Sequence, residues 1–507
     1  MALRLSVLLC LLAVLGISFS TVIPHVRRNL VRGRPVNGFL QKPLVEHPKD
    51  RVSVPTKFFQ NKVDHFDSTN SNTYSQRYWV NDQWFKPGGP VFFMLGGEAP
   101  EDASWVESPT LEWTTFAKEH GAYVVLAEHR FYGNSRPTAD MSTPNLKYLS
   151  SAQALEDFAS LITYLKSSTP SIANAKWVTF GGSYSGALAA WLRLKHPELI
   201  FAAVGSSGPV QAEVDFVEYL EVVQNSITNF NAACGASVTA GFNQVQQLLQ
   251  TATGRSTLKK TFNLCQDIDV SNANMVKTFW ETVYSPYMEI VQYSWDNAGV
   301  FRNQLNIDHA ICRYHLSNTS STMVKMQSVN TYFNVEFGYF GCNDISYDNF
   351  ISFMQDTSYG QAADSRAWVW QTCTEFGYYQ STDSTTAGPW FGGNGNLPVD
   401  YYVQQCSDIY GSAYNSASVA AAIAKTNAYY GGRDQFNGTQ VLFPNGLVDP
   451  WHALGKLAST DSTLIPVVIT GTAHCADMYP SASDDFASLT AARNTIRQTL
   501  DQWLPVN

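Results

Sequence analysis

The stretch Trp177-Val-Thr-Phe-Gly181-Gly182-Ser183-Tyr184-Ser185-Gly186 passes from a β-type apolar run, through small residues, into a helix-type run. Ser183 falls at the turn, where a serine is presented to substrate and can attack an acyl carbon. Small residues are needed at 181 and 185 because such a turn brings strand and helix backbones together; Ser185 stands where the usual pattern has a second glycine. An ordinary Gly-rich turn would read the same way, so the partners decide. In this arrangement an acid and then a base follow the serine along the chain. Asp449 follows the apolar run near Val441, and His474 follows the run Ile465–Ile469. His452 lies too close behind Asp449 to face it from another loop. Each residue alone is an ordinary turn residue, but in the order Ser, Asp, His they form a set for acyl transfer. The developing oxyanion needs N–H donors, for which Tyr184, at the start of the helix, and Gly96 or Gly97, after the run Val91–Leu95, are the candidates.

These residues require a sheet that gathers loops at one edge. Strands are predicted at Gln76–Val80, Val91–Leu95, Tyr123–Glu128, Trp177–Phe180, Phe201–Val204, Thr439–Phe443 and Ile465–Ile469. Helices are predicted at Ala152–Lys166, Ser185–Lys195 and around Asp484–Leu500. Such alternation argues for an α/β architecture with a parallel sheet. Between them the rhythm changes to long helical patterns, such as Glu213–Ile227 and Val238–Thr251, with a later glycine-rich interruption at Gly388, Gly392, Gly393 and Gly395. The expected organisation is an α/β domain formed by residues 51–208 and 431–507, split by a helical insertion at 209–430.

At 507 residues and 45% hydrophobic content, the chain can bury a large core. Lys and Arg number 33 against 42 Asp and Glu, which argues against a polyanion-binding protein. Residues 1–20 read as a secretory signal peptide, with Arg4, an apolar run Leu5–Ile17 too short for a comfortable bilayer span, and Ser18-Phe19-Ser20. The expected location is the secretory pathway, either secreted or lysosomal. Residues 21–50, rich in Arg, Pro and Val, are expected to form a loose N-terminal arm or propeptide. Beyond the signal peptide, Cys234, Cys265, Cys312, Cys342, Cys373 and Cys406 cluster in the insertion and Cys475 stands apart, which suggests three disulfides and one thiol. Asn318 and Asn437 open glycosylation sequons. No metal-ligand pattern is present and no cofactor is expected. Peptides are the expected partners, rather than nucleic acid or membrane, with a homodimer left open.

Several motifs belong together: Leu95-Gly-Gly-Glu-Ala-Pro100, Glu128-His-Arg-Phe-Tyr-Gly133, Gly181-Gly-Ser-Tyr-Ser-Gly-Ala-Leu-Ala-Ala-Trp191, Gln371-Thr-Cys-Thr-Glu375 and Asn445-Gly-Leu-Val-Asp-Pro-Trp451. They resemble the S28 serine peptidases, a family that includes lysosomal Pro-Xaa carboxypeptidase, dipeptidyl peptidase II and the thymus-specific serine protease. Ala473-His-Cys-Ala-Asp-Met478 looks most like the thymus-specific branch. The resemblance implies an α/β-hydrolase fold with an inserted helical, disulfide-stapled cap, and catalysis by Ser183, Asp449 and His474. It implies an aromatic pocket for proline at P1, lined by Trp451 and Tyr378, with Ala187 where the carboxypeptidase has a bulkier residue. It also implies the pairs Cys234–Cys312, Cys265–Cys342 and Cys373–Cys406, with Cys475 free. Glu98 and Glu375 follow or close two of the motifs and are expected at the cleft rim or in the cap, where a carboxylate could hold a free α-amino group. Pairing with a neighbouring Arg or backbone N–H is the plainer alternative for each.

The function expected is therefore a secreted or lysosomal serine peptidase of the exopeptidase type, with proline or a small apolar residue at P1. An esterase or lipase on the same fold is the second reading, although no long apolar lid is evident. A catalytically inactive binding protein is the third, and the intact serine, acid and base count against it.

Overall fold

Apolar strands bounded by turn residues assemble as eight strands of one sheet: β1 (Lys57–Lys62), β2 (Thr73–Asn81), β3 (Val91–Leu95), β4 (Tyr123–Ala127), β5 (Trp177–Gly182), β6 (Ala202–Ser206), β7 (Val441–Gly446) and β8 (Leu464–Ile469). Their order across the sheet is β1-β2-β4-β3-β5-β6-β7-β8. Contacts of β2 with β1 and with β4 are antiparallel, and all other neighbours run parallel. Every residue of β3 to β7 is buried, as parallel strands covered on both faces must be. The computed structural model describes residues 30–31, 34–35, 38–43, 52–295, 305–386 and 395–505. The expected signal peptide, most of the N-terminal arm, and Gly388, Gly392 and Gly393 lie outside the described residues.

Helices cover both faces. Trp113 and Phe116 of α1 (Glu112–His120) pack against Phe92 and Met94. On the opposite face, α2 (Ser151–Ser168) and α3 (Tyr184–Lys195) pack against Val91, Phe93 and Leu95. The start of α2 is set by Ser150, whose side chain accepts from the Gln153 N–H, and its buried stripe is Leu155, Phe158, Leu161, Ile162 and Leu165. Arg130, in the loop after β4, donates to both carboxylate oxygens of Asp157 on α2 at 2.6 and 2.7 Å. Tyr74 and His65 complete the set of partners around this fully buried aspartate.

Residues 207–440 are inserted between β6 and β7 and carry α4 (Glu218–Phe230), α5 (Ala232–Leu249), α6 (Ala273–Gln292), α7 (Ala363–Gln371) and α8 (Ser416–Tyr430). One expectation needs correction here. Glu213–Asp215 is not the first turn of a helix but a short strand, paired in parallel with Gly377–Tyr379, and α4 begins only at Glu218. A partner strand more than 150 residues away along the chain overrides the local helical pattern. After β8, α9 (Ala487–Trp503) joins α1 on its face through Leu489, Ile496 and Leu500. No described helix is long and apolar enough to cross a membrane. Asn318 and Asn437 are both exposed.

The disulfides are Cys234–Cys312, Cys265–Cys342 and Cys373–Cys406, with Cys475 unpaired and buried. The first two close sequence separations of 78 and 77 residues. Replacing Cys265 and Cys342 by serine should cost about 4 kcal/mol through the freed denatured chain. Urea unfolding measures this, and a loss below about 1 kcal/mol would contradict a stapling role.

Candidate active site

β5 runs straight into α3, and Ser183 at the junction adopts φ 59° and ψ −131°, strained for a residue with a side chain. The turn excludes larger neighbours: a Cβ on Gly181 would lie 2.1 Å from the Ser185 carbonyl oxygen. Ser185, in the fifth position of the turn, donates its hydroxyl to the Gly182 carbonyl at 2.8 Å and accepts from the Gly182 N–H at 3.1 Å. Its side chain therefore locks the turn rather than facing substrate.

Asp449 and His474 sit on the loops after β7 and β8, at neighbouring strand ends. His474 Nδ1 lies 2.8 Å from Asp449 Oδ2, and both side chains are fully buried. The other carboxylate oxygen of Asp449 accepts from the Trp451 N–H at 3.0 Å, which fixes the rotamer. His474 Nε2, the nitrogen left for a serine, is buried without a hydrogen-bond partner among the described residues. Burial alone would lower the pKa of His474, but the Asp449 carboxylate outweighs it and holds the imidazole well above its ordinary value. A base must be neutral to accept a proton, so kcat/KM should fall as pH drops through this raised pKa and rise towards alkaline pH. A pH–rate profile that falls from acid to neutral pH would contradict His474 as the base.

The helix cap clasps this pair. The backbone N–H of His474 donates to the Gln292 carbonyl at the end of α6, at 2.9 Å. The Gln292 side-chain oxygen accepts from both Tyr219 OH (2.6 Å) and Trp451 Nε1 (2.9 Å). Gln292 holds the histidine and aspartate loops together, yet nothing distinguishes it in the sequence from any other polar residue near a helix end.

Of the expected oxyanion donors, Gly96 is corrected: its N–H donates to the Ala127 carbonyl at 2.8 Å and is consumed by the sheet. Gly97 lies against the elbow, where a Cβ would meet Ser185 Cβ at 3.3 Å. Its N–H makes only a long contact, 3.3 Å, with Glu101 Oε1. Burial and the nearby Glu128 carboxylate push the pKa of Glu101 up to about 8. Tyr184 is the first residue of α3, at the N-terminal end where backbone N–H groups lack helical partners.

An aromatic cage borders His474. Trp451 meets Tyr378 edge-on at 5.2 Å, and Tyr378 stacks on Phe376 and, at 6.3 Å, on Trp368. Trp451 and Tyr378 are thus in contact, and Trp368 joins them unforeseen. Ala187 is fully buried in the first turns of α3, with its N–H bonded to the Ser183 carbonyl. Neither expected carboxylate lies at an open rim. Glu375 is buried and accepts from the Ser151 N–H and hydroxyl and from Gln371 Nε2. Gln371 Nε2 also reaches Tyr184 OH at 3.0 Å, which in turn contacts His129 Nε2 at 3.0 Å. Three of the sequence motifs therefore meet behind Ser183 in one buried network, and Glu375 serves that network. Glu98 is also buried, with Oε1 accepting from the backbone N–H of Phe39 at 2.7 Å.

Residues 61–496 match the family described as serine carboxypeptidase S28. A Caenorhabditis elegans protein named for serine protease activity is 60% identical over 486 residues, covering 95% of each chain. The thymus-specific serine protease of Mus musculus is 32% identical over 464 residues, covering 89% of this chain and 88% of its own. The lysosomal Pro-X carboxypeptidase of Bos taurus is 28% identical over 467 residues, covering 90% and 89%. The match takes in the end of β1, all of β2 to β8, the inserted helices and the loops of Ser183, Asp449 and His474, so the chain belongs to the serine carboxypeptidase S28 family and is a serine-type peptidase.

Proposed function

We propose that Ser183 is the nucleophile, His474 the general base and Asp449 the orienting acid of peptide hydrolysis. Ser183 Oγ attacks the scissile carbonyl carbon while His474 Nε2 takes its proton. The tetrahedral oxyanion receives N–H bonds from Tyr184 and Gly97, and collapse expels the amine, which leaves with the proton from His474. Water then attacks the acyl-enzyme by the same path, regenerating Ser183 and releasing the acid. The observation that carries this reading is the fully buried His474 Nδ1–Asp449 Oδ2 contact of 2.8 Å, which leaves Nε2 as the free basic nitrogen.

The substrate reading is an exopeptidase with proline or a small apolar residue at P1, packed against Trp451, Tyr378 and Trp368. The cap's grip on the site supports it: the Gln292 end of α6 is bonded to the His474 N–H and to Trp451 Nε1, so a chain end enters more readily than a mid-chain loop. Glu98 is the carboxylate proposed to hold a peptide N–H or α-amino group, and the proposed route for the chain is the secretory pathway, to a secreted or lysosomal destination. The test is kcat/KM on matched peptides with free and blocked termini and with proline or alanine at P1. Blocking one terminus should lower kcat/KM at least about tenfold, the loss of roughly one hydrogen bond to a charged group. Equal rates on all of the peptides would overturn the exopeptidase reading.

A further inference from the structure

The aromatic cage beside His474 is not empty. Phe39, from the N-terminal arm, is 1% exposed, and its ring meets Trp451 edge-on at 5.1 Å and Trp368 edge-on at 5.4 Å. It also lies 6.0 Å from the His474 imidazole. Edge-to-face packing at these separations is the favourable geometry for aromatic pairs. The next residue, Leu40, covers the elbow: its Cδ2 lies 2.8 Å from the position a Cβ on Gly182 would take, one residue before Ser183.

The backbone of this segment is held as a bound peptide would be. Its Phe39 N–H donates to Glu98 Oε1 at 2.7 Å, and its Phe39 carbonyl accepts from Tyr293 OH at 2.9 Å. Two residues on, the Gln41 carbonyl accepts from Tyr479 OH at 2.8 Å. Upstream, the Arg34 guanidinium donates to the Glu98 carbonyl oxygen through Nε at 2.9 Å and Nη2 at 2.6 Å. Tyr293 itself borders His474, at a ring separation of 6.1 Å. The groove thus supplies a side-chain acceptor for a peptide N–H, hydroxyl donors for peptide carbonyls and an aromatic socket, and the arm uses all of them.

We propose that Arg34 and residues 38–43 are an intramolecular ligand of the substrate groove, which holds the peptidase inactive until the arm is severed or displaced. The Phe39 carbonyl is engaged by Tyr293 rather than by the N–H donors of Tyr184 and Gly97, so the arm blocks the site without being offered for attack. The inference rests on the catalytic assignment of Ser183 and His474.

The test compares the intact full chain, its Phe39→Ala variant, and a full chain cut at a site-specific protease sequence inserted between Pro43 and Val52. Two readouts are taken on each: kcat/KM on a fluorogenic peptide, and the rate of fluorophosphonate labelling. Losing the buried phenyl ring should open the groove about ten- to a hundredfold more often, with kcat/KM rising accordingly. The cut chain should gain at least as much after the fragment is removed. A synthetic peptide of residues 30–43 should then inhibit it competitively, raising KM with kcat unchanged, and the same peptide with Phe39→Ala should bind at least about tenfold more weakly. Equal turnover and labelling in all three forms, or no inhibition at millimolar peptide, would overturn the inference alone. Absence of labelling at Ser183 in every form would instead overturn the catalytic assignment, and the inference with it.

Discussion

Ser183→Ala should lower kcat/KM by at least about a thousandfold, the loss typical when the nucleophile of a serine triad is removed. The reason is chemical and local. No other hydroxyl at the turn can take over, because Ser185 already donates to the Gly182 carbonyl and accepts from the Gly182 N–H. The fold should survive: alanine at φ 59° carries the same backbone strain as serine, and the turn is held by the bond from the Ser183 N–H to the Ser206 carbonyl. A melting curve beside the steady-state assay separates lost chemistry from lost structure. Activity within about tenfold of the parent, in a preparation free of other peptidases, would contradict Ser183 as the nucleophile.

A loss of comparable size is expected for Asp449→Asn, on the order of 10³- to 10⁴-fold in kcat. The two side chains have nearly the same shape, so the bond from the Trp451 N–H to the side-chain oxygen can persist. What changes is the partner of His474 Nδ1. An amide NH₂ turned towards it donates rather than accepts, favours the wrong tautomer and removes the charge that stabilises the imidazolium. With the carboxylate gone, the largest influence that raises the pKa of His474 is lost while burial still lowers it, so the acid limb of the pH–rate profile should shift to lower pH while the plateau collapses. Substrate contacts are untouched and KM should change little. A variant with raised KM but unchanged kcat would mean that Asp449 shapes the binding site rather than the base.

The chemistry was legible in the sequence where it depends on short-range pattern. The run into Ser183 reads as strand, turn and helix because the apolar residues, the two glycines and the helix formers are contiguous, and β3 and β8 follow their apolar runs to within a residue. The pairing of Asp449 with His474 followed from chain order and from the strands that precede them. Long-range contacts were not legible. Glu375 reads in its motif either as a cleft carboxylate or as the partner of a nearby Arg or backbone N–H, and nothing local names the partner it takes, Ser151, which lies 224 residues earlier. Glu213–Asp215 has a helical pattern, and only the distant strand at Gly377–Tyr379 makes it extended. Gln292 and Tyr293 owe their importance to the fold that brings the end of α6 against the histidine loop. Phe39 was hidden most completely, since an irregular arm without periodicity gives no sign of what its phenyl ring will meet.

The most direct test of the central claim is covalent labelling. The chain with its arm cut and removed would be incubated with a fluorophosphonate and digested, and the modified peptide identified by mass spectrometry. A serine made nucleophilic by His474 and Asp449 should carry the label on Ser183, and the label should disappear in Asp449→Asn at equal exposure time. Labelling of a different residue, or none at Ser183 while the peptide substrate is still hydrolysed, would contradict the account.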